Sequence, residues 1–330
     1  MSGTVRRGWC VLLVALVACV VARLLVSRSL DGGLDIGWSE TALPWRVGAI
    51  VSASAAGAAL ALSGVFLQTL LRNPLASPFV LGLIGGAQAA VSVAAVVAWK
   101  TASEFPQQMQ WMVGTVGAIS ALLLCVMFGR SRDRGLDPMS LILAGVVVAA
   151  MTGSIATLCE WLLPPNERAG VFAWSMGRIP EAPDRAVLTA LLLVLMVSFW
   201  FFQVRSRDLD AMQFSDDEAR SIGVRLNRQR WSLIVASSAL AAVATALCGP
   251  LAFVGLVAPH AARSLLGASH RRLLIGSVVA GAALLVLADA VRSIIPVQGG
   301  RLPIGVVCAL AGGPAFLFLL RRGAGRIWQQ

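Results

Sequence analysis

Long apolar runs alternate with short polar connections along the whole chain. The runs cover about 9–28, 47–70, 79–99, 109–129, 138–163, 185–204, 230–248, 251–267, 273–295 and 303–320. At 1.5 Å of rise per residue, roughly 20 apolar residues cross a bilayer's hydrocarbon core. The pattern therefore predicts an all-α polytopic membrane protein of about ten transmembrane helices, with residues 1–330 forming a single transmembrane domain. The eighth run is short and carries Gly249-Pro250 before it and Pro259 within it. It predicts a broken or tilted helix, which is tolerated where it packs on protein rather than lipid. Small residues recur inside the runs, as in Gly57-Ala58-Ala59, Gly85-Gly86-Ala87 and Gly281-Ala282-Ala283. They predict close helix–helix approach, because packing rather than hydrophobicity drives association in lipid.

Two connections carry local structure of their own. The longest polar stretch runs from Arg205 to Arg230, and within it Ser215-Asp216-Asp217-Glu218 has the spacing of a capping box. The Ser215 hydroxyl accepts from the Glu218 amide while Glu218 reaches back to the Ser215 N–H. A short helix is expected from about Asp216 to near Gly223, with acidic residues at the positive end of its dipole. Between the second and third runs, Pro74 and Pro78 predict a break, since proline cannot continue a helix and pushes its predecessor toward extended structure.

Composition fits the same reading. Hydrophobic residues make up 58% of the chain and charged residues 13%, with mean hydropathy +0.80. Soluble domains carry about 25% charged residues, so lipid is the natural solvent. The net charge of +11 comes almost wholly from arginines in the connections, which argues for the positive-inside rule rather than for nucleic acid. With both termini cytoplasmic, the tally of basic residues is about 18 inside against 9 outside. The only lysine, Lys100, lacks the flanking glycines of a phosphate-binding loop, so no standard ATP site is expected. Six cysteines stand singly without C-x-x-C spacing, which suggests buried thiols rather than a metal or redox site. Arg6-Arg7 and the following apolar run allow a cleaved leader, but an uncleaved first span is the simpler expectation. Neither a catalytic constellation nor a metal site stands out: His260 and His270 are the only histidines, and Glu160 and Asp289 are the obvious acidic residues inside spans.

Four segments resemble a known family. Phe214–Gly223 (FSDDEARSIG) is followed by Gly249–Arg263 (GPLAFVGLVAPHAAR) and Ser269-His270-Arg271-Arg272; Ser63–Gly86 and Leu302–Leu320 complete the set. In order and spacing they resemble the iron-siderophore, haem and cobalamin permeases of bacterial ABC importers, the transmembrane subunits of type II importers. The resemblance implies an inner-membrane subunit paired with a second permease, the same or related. It also implies a cytoplasmic dimer of ABC ATPases, which binds the ATP and Mg, and an extracytoplasmic substrate-binding protein. This chain would hold no cofactor and perform no covalent chemistry.

By the same resemblance, Ser215, Asp216, Asp217, Glu218, Ala219, Arg220, Ser221, Ile222 and Gly223 form the element that couples to the ATPase. Asn73, Pro74 and Leu75 match the loop that narrows the cytoplasmic mouth of the pathway. Arg46, Arg292 and Arg301 fall where family members receive acidic residues of the binding protein, although Gly48 and Ala49 replace the family's proline and second arginine, and Arg301 stands where glutamate is common. Asp289 and Arg292, three apart on a helix, are alternatively expected to pair with each other. The cargo implied first is a ferric siderophore, with haem and cobalamin as alternatives. Less favoured rivals are an ion-coupled secondary transporter, which needs intramembrane ionisable groups, and a membrane enzyme.

Overall fold

The computed structural model describes residues 3–28, 34–131, 135–295 and 302–327, and in it the apolar runs become a helical bundle. The order is α1 (Gly3–Leu25), α2 (Leu43–Leu71), α3 (Leu83–Lys100), α4 (Gln107–Phe128), α5 (Pro138–Leu162), α6 (Pro165–Ser175), α7 (Arg185–Val204), α8 (Ser206–Ala211), α9 (Asp216–Ser221), α10 (Leu226–Cys248), α11 (Val254–Leu266), α12 (His270–Ile294) and α13 (Ile304–Ile327). Two short antiparallel ribbons close connections: Val26–Arg28 pairs with Leu34–Ile36, and Arg130–Ser131 with Gly135–Leu136. Among the described residues, eight helices, α1 to α5, α7, α10 and α12, are long and apolar enough to cross a membrane.

The eighth apolar run departs from a plain span, as its prolines and glycine suggest. Gly249 and Phe253 both take left-handed backbone conformations, and α11 begins only at Val254. Its 13 residues reach about 20 Å, short of a bilayer core of about 30 Å. α11 packs against α2, α12 and α13, so a short helix here lies against protein. A turn of 3₁₀ helix, Pro78–Leu81, separates the chain after α2 from α3, at the break expected of Pro78.

α2 sits at the centre, packed on by α12, α10, α11 and α7. It can be enclosed on every side because its middle is nearly all alanine, glycine and serine. A methyl group at Gly57 would collide with the Gly281 carbonyl of α12, and one at Gly64 with the Gly255 carbonyl of α11. The Ser63 hydroxyl lies 2.8 Å from that of Ser237, joining α2 to α10 through a buried polar pair. A second group, α3 to α5, meets where Gly86 and Gly117 abut. The outer faces of α4, α5 and α7 leave large apolar side chains exposed, among them Leu123, Phe128, Leu143, Leu158, Val197 and Val204. Such a continuous apolar surface would drive association in water and is stable in lipid.

The crossings sort the connections into two ends. Contacts among 72–78, 135–137, 205–225 and 267–270 gather these connections at one end, rich in arginine. The β-ribbon after α1, the segment 176–184 between α6 and α7, Cys248 and the end of α12 gather at the other.

Candidate functional site

At the arginine-rich end, α9 is a capped helix. The Glu218 amide donates to the Ser215 hydroxyl at 3.3 Å and the Ser215 amide donates to the Glu218 carboxylate at 2.9 Å. Both halves of the expected capping box are therefore made. The Ser215 hydroxyl and amide hold the Glu218 carboxyl below its ordinary value. Gly223, at φ +92°, ends the element where nothing would obstruct a side chain but the backbone disfavours one. Ala219 is buried and anchors the inner face. Asp217, Arg220 and Ser221 face solvent, and Asp217 and Arg220 form an exposed pair at 3.3 Å. Phe214 and Ile222 are exposed apolar residues flanking this polar helix.

Asp216, the first residue of α9, ties the element to the bundle. Its carboxylate accepts from Arg72 at 2.7 Å and from Arg230 at 2.8 Å. Arg72 caps α2 in a left-handed conformation and also donates from Nε to the Met212 carbonyl. Arg230, on α10, donates in addition to the Leu136 carbonyl before α5. Burial acts to raise the Asp216 carboxyl, but the charge of Arg230 and the hydrogen bonds from Arg72 and Arg230 outweigh it and hold the group below its ordinary value.

The turn expected to narrow the pathway follows Arg72 directly. The Asn73 side-chain oxygen accepts from the Leu75 amide at 2.9 Å, and the Asn73 carbonyl accepts from the Ala76 amide. Asn73 and Pro74 are half-buried and Leu75 is exposed. The ion pair from Asp216 to Arg72 and the peptide bond from Arg72 to Asn73 thus join the coupling candidates to the gate candidates. Sequence reasoning missed Arg72 because Asp216 lies 144 residues away, and Arg230 because 14 residues and a turn between α9 and α10 separate it from Asp216.

A second tie runs beside the first. Asp210, on α8, accepts from the amide and the Nδ1 of His270, the first residue of α12, at 2.8 and 2.7 Å. The other ring nitrogen lies 2.8 Å from the Thr69 hydroxyl of α2, which itself donates to the Val65 carbonyl. Burial acts to raise the Asp210 carboxyl, yet the His270 hydrogen bonds and the charges of His270 and Arg272 carry it below its ordinary 3.8. A depressed native value stabilises the fold above the ordinary carboxyl range and loses that contribution as pH falls through the native one. Wild type should therefore melt about 2–4 °C above Asp210→Asn at neutral pH, and the two curves should converge in a thermal scan as pH falls below the ordinary carboxyl range.

At the opposite end, Arg46 and Arg292, the candidates for docking the binding protein, are both buried. Arg46 is 2% exposed and donates to the carbonyls of Leu24 and Gly37, closing the β-ribbon against α2. Arg292 is 5% exposed and pairs with Asp289 at 2.5 Å, the alternative that its spacing allowed. Asp289 also holds the buried Arg23 of α1, which reaches Glu181 at 3.5 Å. Arg301 lies outside the described residues. His260 stacks edge-on toward Phe316 at 6.4 Å, and among the described residues no group of three His, Cys, Asp or Glu is placed to hold a metal.

Comparison with known proteins agrees with this architecture. The chain is 32% identical over 302 residues to the hemin transport system permease protein HmuU of Yersinia pestis, covering 91% of this chain and 87% of that one. It is 33% identical over 322 residues to the ferric enterobactin transport system permease protein FepD of Escherichia coli K12, covering 94% and 93%. Its fold matches a solved metal-chelate type ABC transporter in an inward-facing conformation, with a TM-score of 0.82 and 25% identity over 96% of this chain and 99% of that one. With residues 11–322 matched by the FecCD transport family, the chain belongs to that family and is a multi-span permease subunit of an ABC transport system.

Proposed function

We propose that this subunit imports a ferric siderophore across the bacterial inner membrane, driven by a cytoplasmic ABC ATPase dimer. The observation that carries the reading is the Asp216 tie, which links the capped helix α9 through Arg72 to the turn Asn73–Leu75. ATPase closure on α9, with Phe214 and Ile222 as its apolar contacts, then moves the end of α2 as a rigid body. ATP and Mg belong to the ATPase; this chain supplies the path and the lever. A second permease, identical or related, completes the path, and an extracytoplasmic binding protein delivers the chelate. The arginine-rich end lies in the cytoplasm together with both termini, as the charge asymmetry favours.

The chelate already satisfies its metal, so the walls need not ligate it. Relatives named for ferric enterobactin and for hemin support a metal chelate as cargo, with haem or cobalamin as the alternatives. An ion-coupled carrier is disfavoured because Asp289, an acidic residue inside a span, is held in ion pairs with Arg23 and Arg292. Uptake of labelled ferric siderophore by a deletion strain, with and without the ATPase, tests the proposal. Restoration is expected only when permease and ATPase are supplied together. Uptake by the permease without any ATPase would reject the mechanism, and ATPase-dependent uptake of haem or cobalamin alone would reject the cargo.

A further inference from the structure

A cavity of about 650 Å³ opens where α7, α8 and the start of α12 meet. Its two walls differ in chemistry. On one side Trp200 and Val204, one turn apart at the end of α7, are 61% and 80% exposed on the lipid-facing surface. On the other side Arg207 and Arg271 are exposed, and neither guanidinium has an ion-pair or hydrogen-bond partner among the described residues. The one carboxylate in the lining, Asp210, is already engaged by His270. The cavity also reaches the start of α12, whose first amide, that of His270, already donates to Asp210. The buried side-chain oxygen of Gln203 likewise lacks a partner, while its amide holds the Arg271 carbonyl.

We infer that this cavity binds the headgroup of an anionic phospholipid. A phosphodiester suits two uncommitted guanidiniums. The orphaned Gln203 oxygen can accept from a headgroup hydroxyl, as on phosphatidylglycerol. An acyl chain leaving the headgroup runs along Trp200 and Val204, where an interfacial tryptophan marks the membrane boundary. A water-facing protein partner would leave those two apolar residues uncovered, which favours the lipid. Basic clusters at the end of a membrane helix recognise anionic headgroups by the same electrostatics. Assignment to the inner leaflet rests on the orientation proposed above; the site itself does not.

The purified full-length chain, titrated with lipids in detergent and read by native mass spectrometry, tests this without ATPase or cargo, so its result is independent of the transport reading. Phosphatidylglycerol should be retained about tenfold more than phosphatidylcholine, and millimolar inorganic phosphate should not displace it. Arg207→Gln/Arg271→Gln should bring the two lipids to parity at an unchanged melting temperature. Arg225→Gln/Arg228→Gln, with the same change of charge elsewhere on this end, should keep the preference. Equal retention of both lipids by wild type, or equal loss in the two double variants, would overturn the site. Displacement by free phosphate would make it a small-anion site instead. Protection of Arg207 and Arg271 from arginine-specific labelling by added ATPase, but not by lipid, would hand the surface to a protein.

Discussion

Asp289→Ala should lower the melting temperature of the purified protein by roughly 10 °C and sharply reduce the folded yield. Asp289 is fully buried between Arg23 of α1 and Arg292 of α12, each 2.5 Å away. Removing it leaves two guanidiniums in a low-dielectric interior with only Glu181, 26% exposed, to compensate one of them. Breaking a buried ion pair from one side costs about 3–5 kcal/mol, because the surviving charge is stranded. The pair's net worth is a different quantity, since desolvation offsets much of the Coulombic gain. The triple variant Arg23→Met/Asp289→Leu/Arg292→Met should therefore melt close to wild type. A thermal scan of both variants in one detergent decides the matter. A shift of only a degree or two for Asp289→Ala would show that water reaches the cluster, and a triple variant as unstable as the single would show that the charges themselves hold α1 to α12.

How far the sequence could be read follows from the range of each interaction. The capping box of α9 was legible because Ser215 and Glu218 are three residues apart and no distant group is needed. The spans were legible because lipid imposes a length. The pairing of Asp289 with Arg292 was available from i,i+3 spacing, but its third member, Arg23, lies 266 residues away. Arg72 and Asp216, 144 residues apart, meet only once α2 and α9 have folded against each other. Arginines near span ends are ambiguous in a sequence: the side chain of Arg46 is long enough to reach water or to turn back onto backbone carbonyls, and it turns back. The left-handed turn before α11 falls on Phe253, where only glycine or asparagine would have announced it. The short helices α6 and α8 mix polar and apolar residues in pieces too brief for a period to show.

Asp216→Ala should uncouple the transporter rather than unfold it. The carboxylate is about one-third exposed, so its loss should cost about 1–2 kcal/mol, between the values for surface and buried pairs. Arg72 and Arg230 keep their bonds to the Met212 and Leu136 carbonyls, which preserves the ends of α2 and α10. What disappears is the side-chain link from α9 to Arg72 and so to the turn Asn73–Leu75. Uptake should fall at least about tenfold, the loss expected when a stiff element no longer transmits a rigid-body movement. ATPase binding and hydrolysis should persist, because Phe214, Ile222 and the capping box remain intact. Asp216→Glu, which can still reach both guanidiniums, should recover part of the uptake. The deciding measurement sets uptake against ATP hydrolysis in reconstituted vesicles. Parallel loss of both would mean that Asp216 shapes the docking surface, and unchanged uptake would mean that movement reaches the gate by another route, with the Asp210–His270–Thr69 tie between α8, α12 and α2 the next to break.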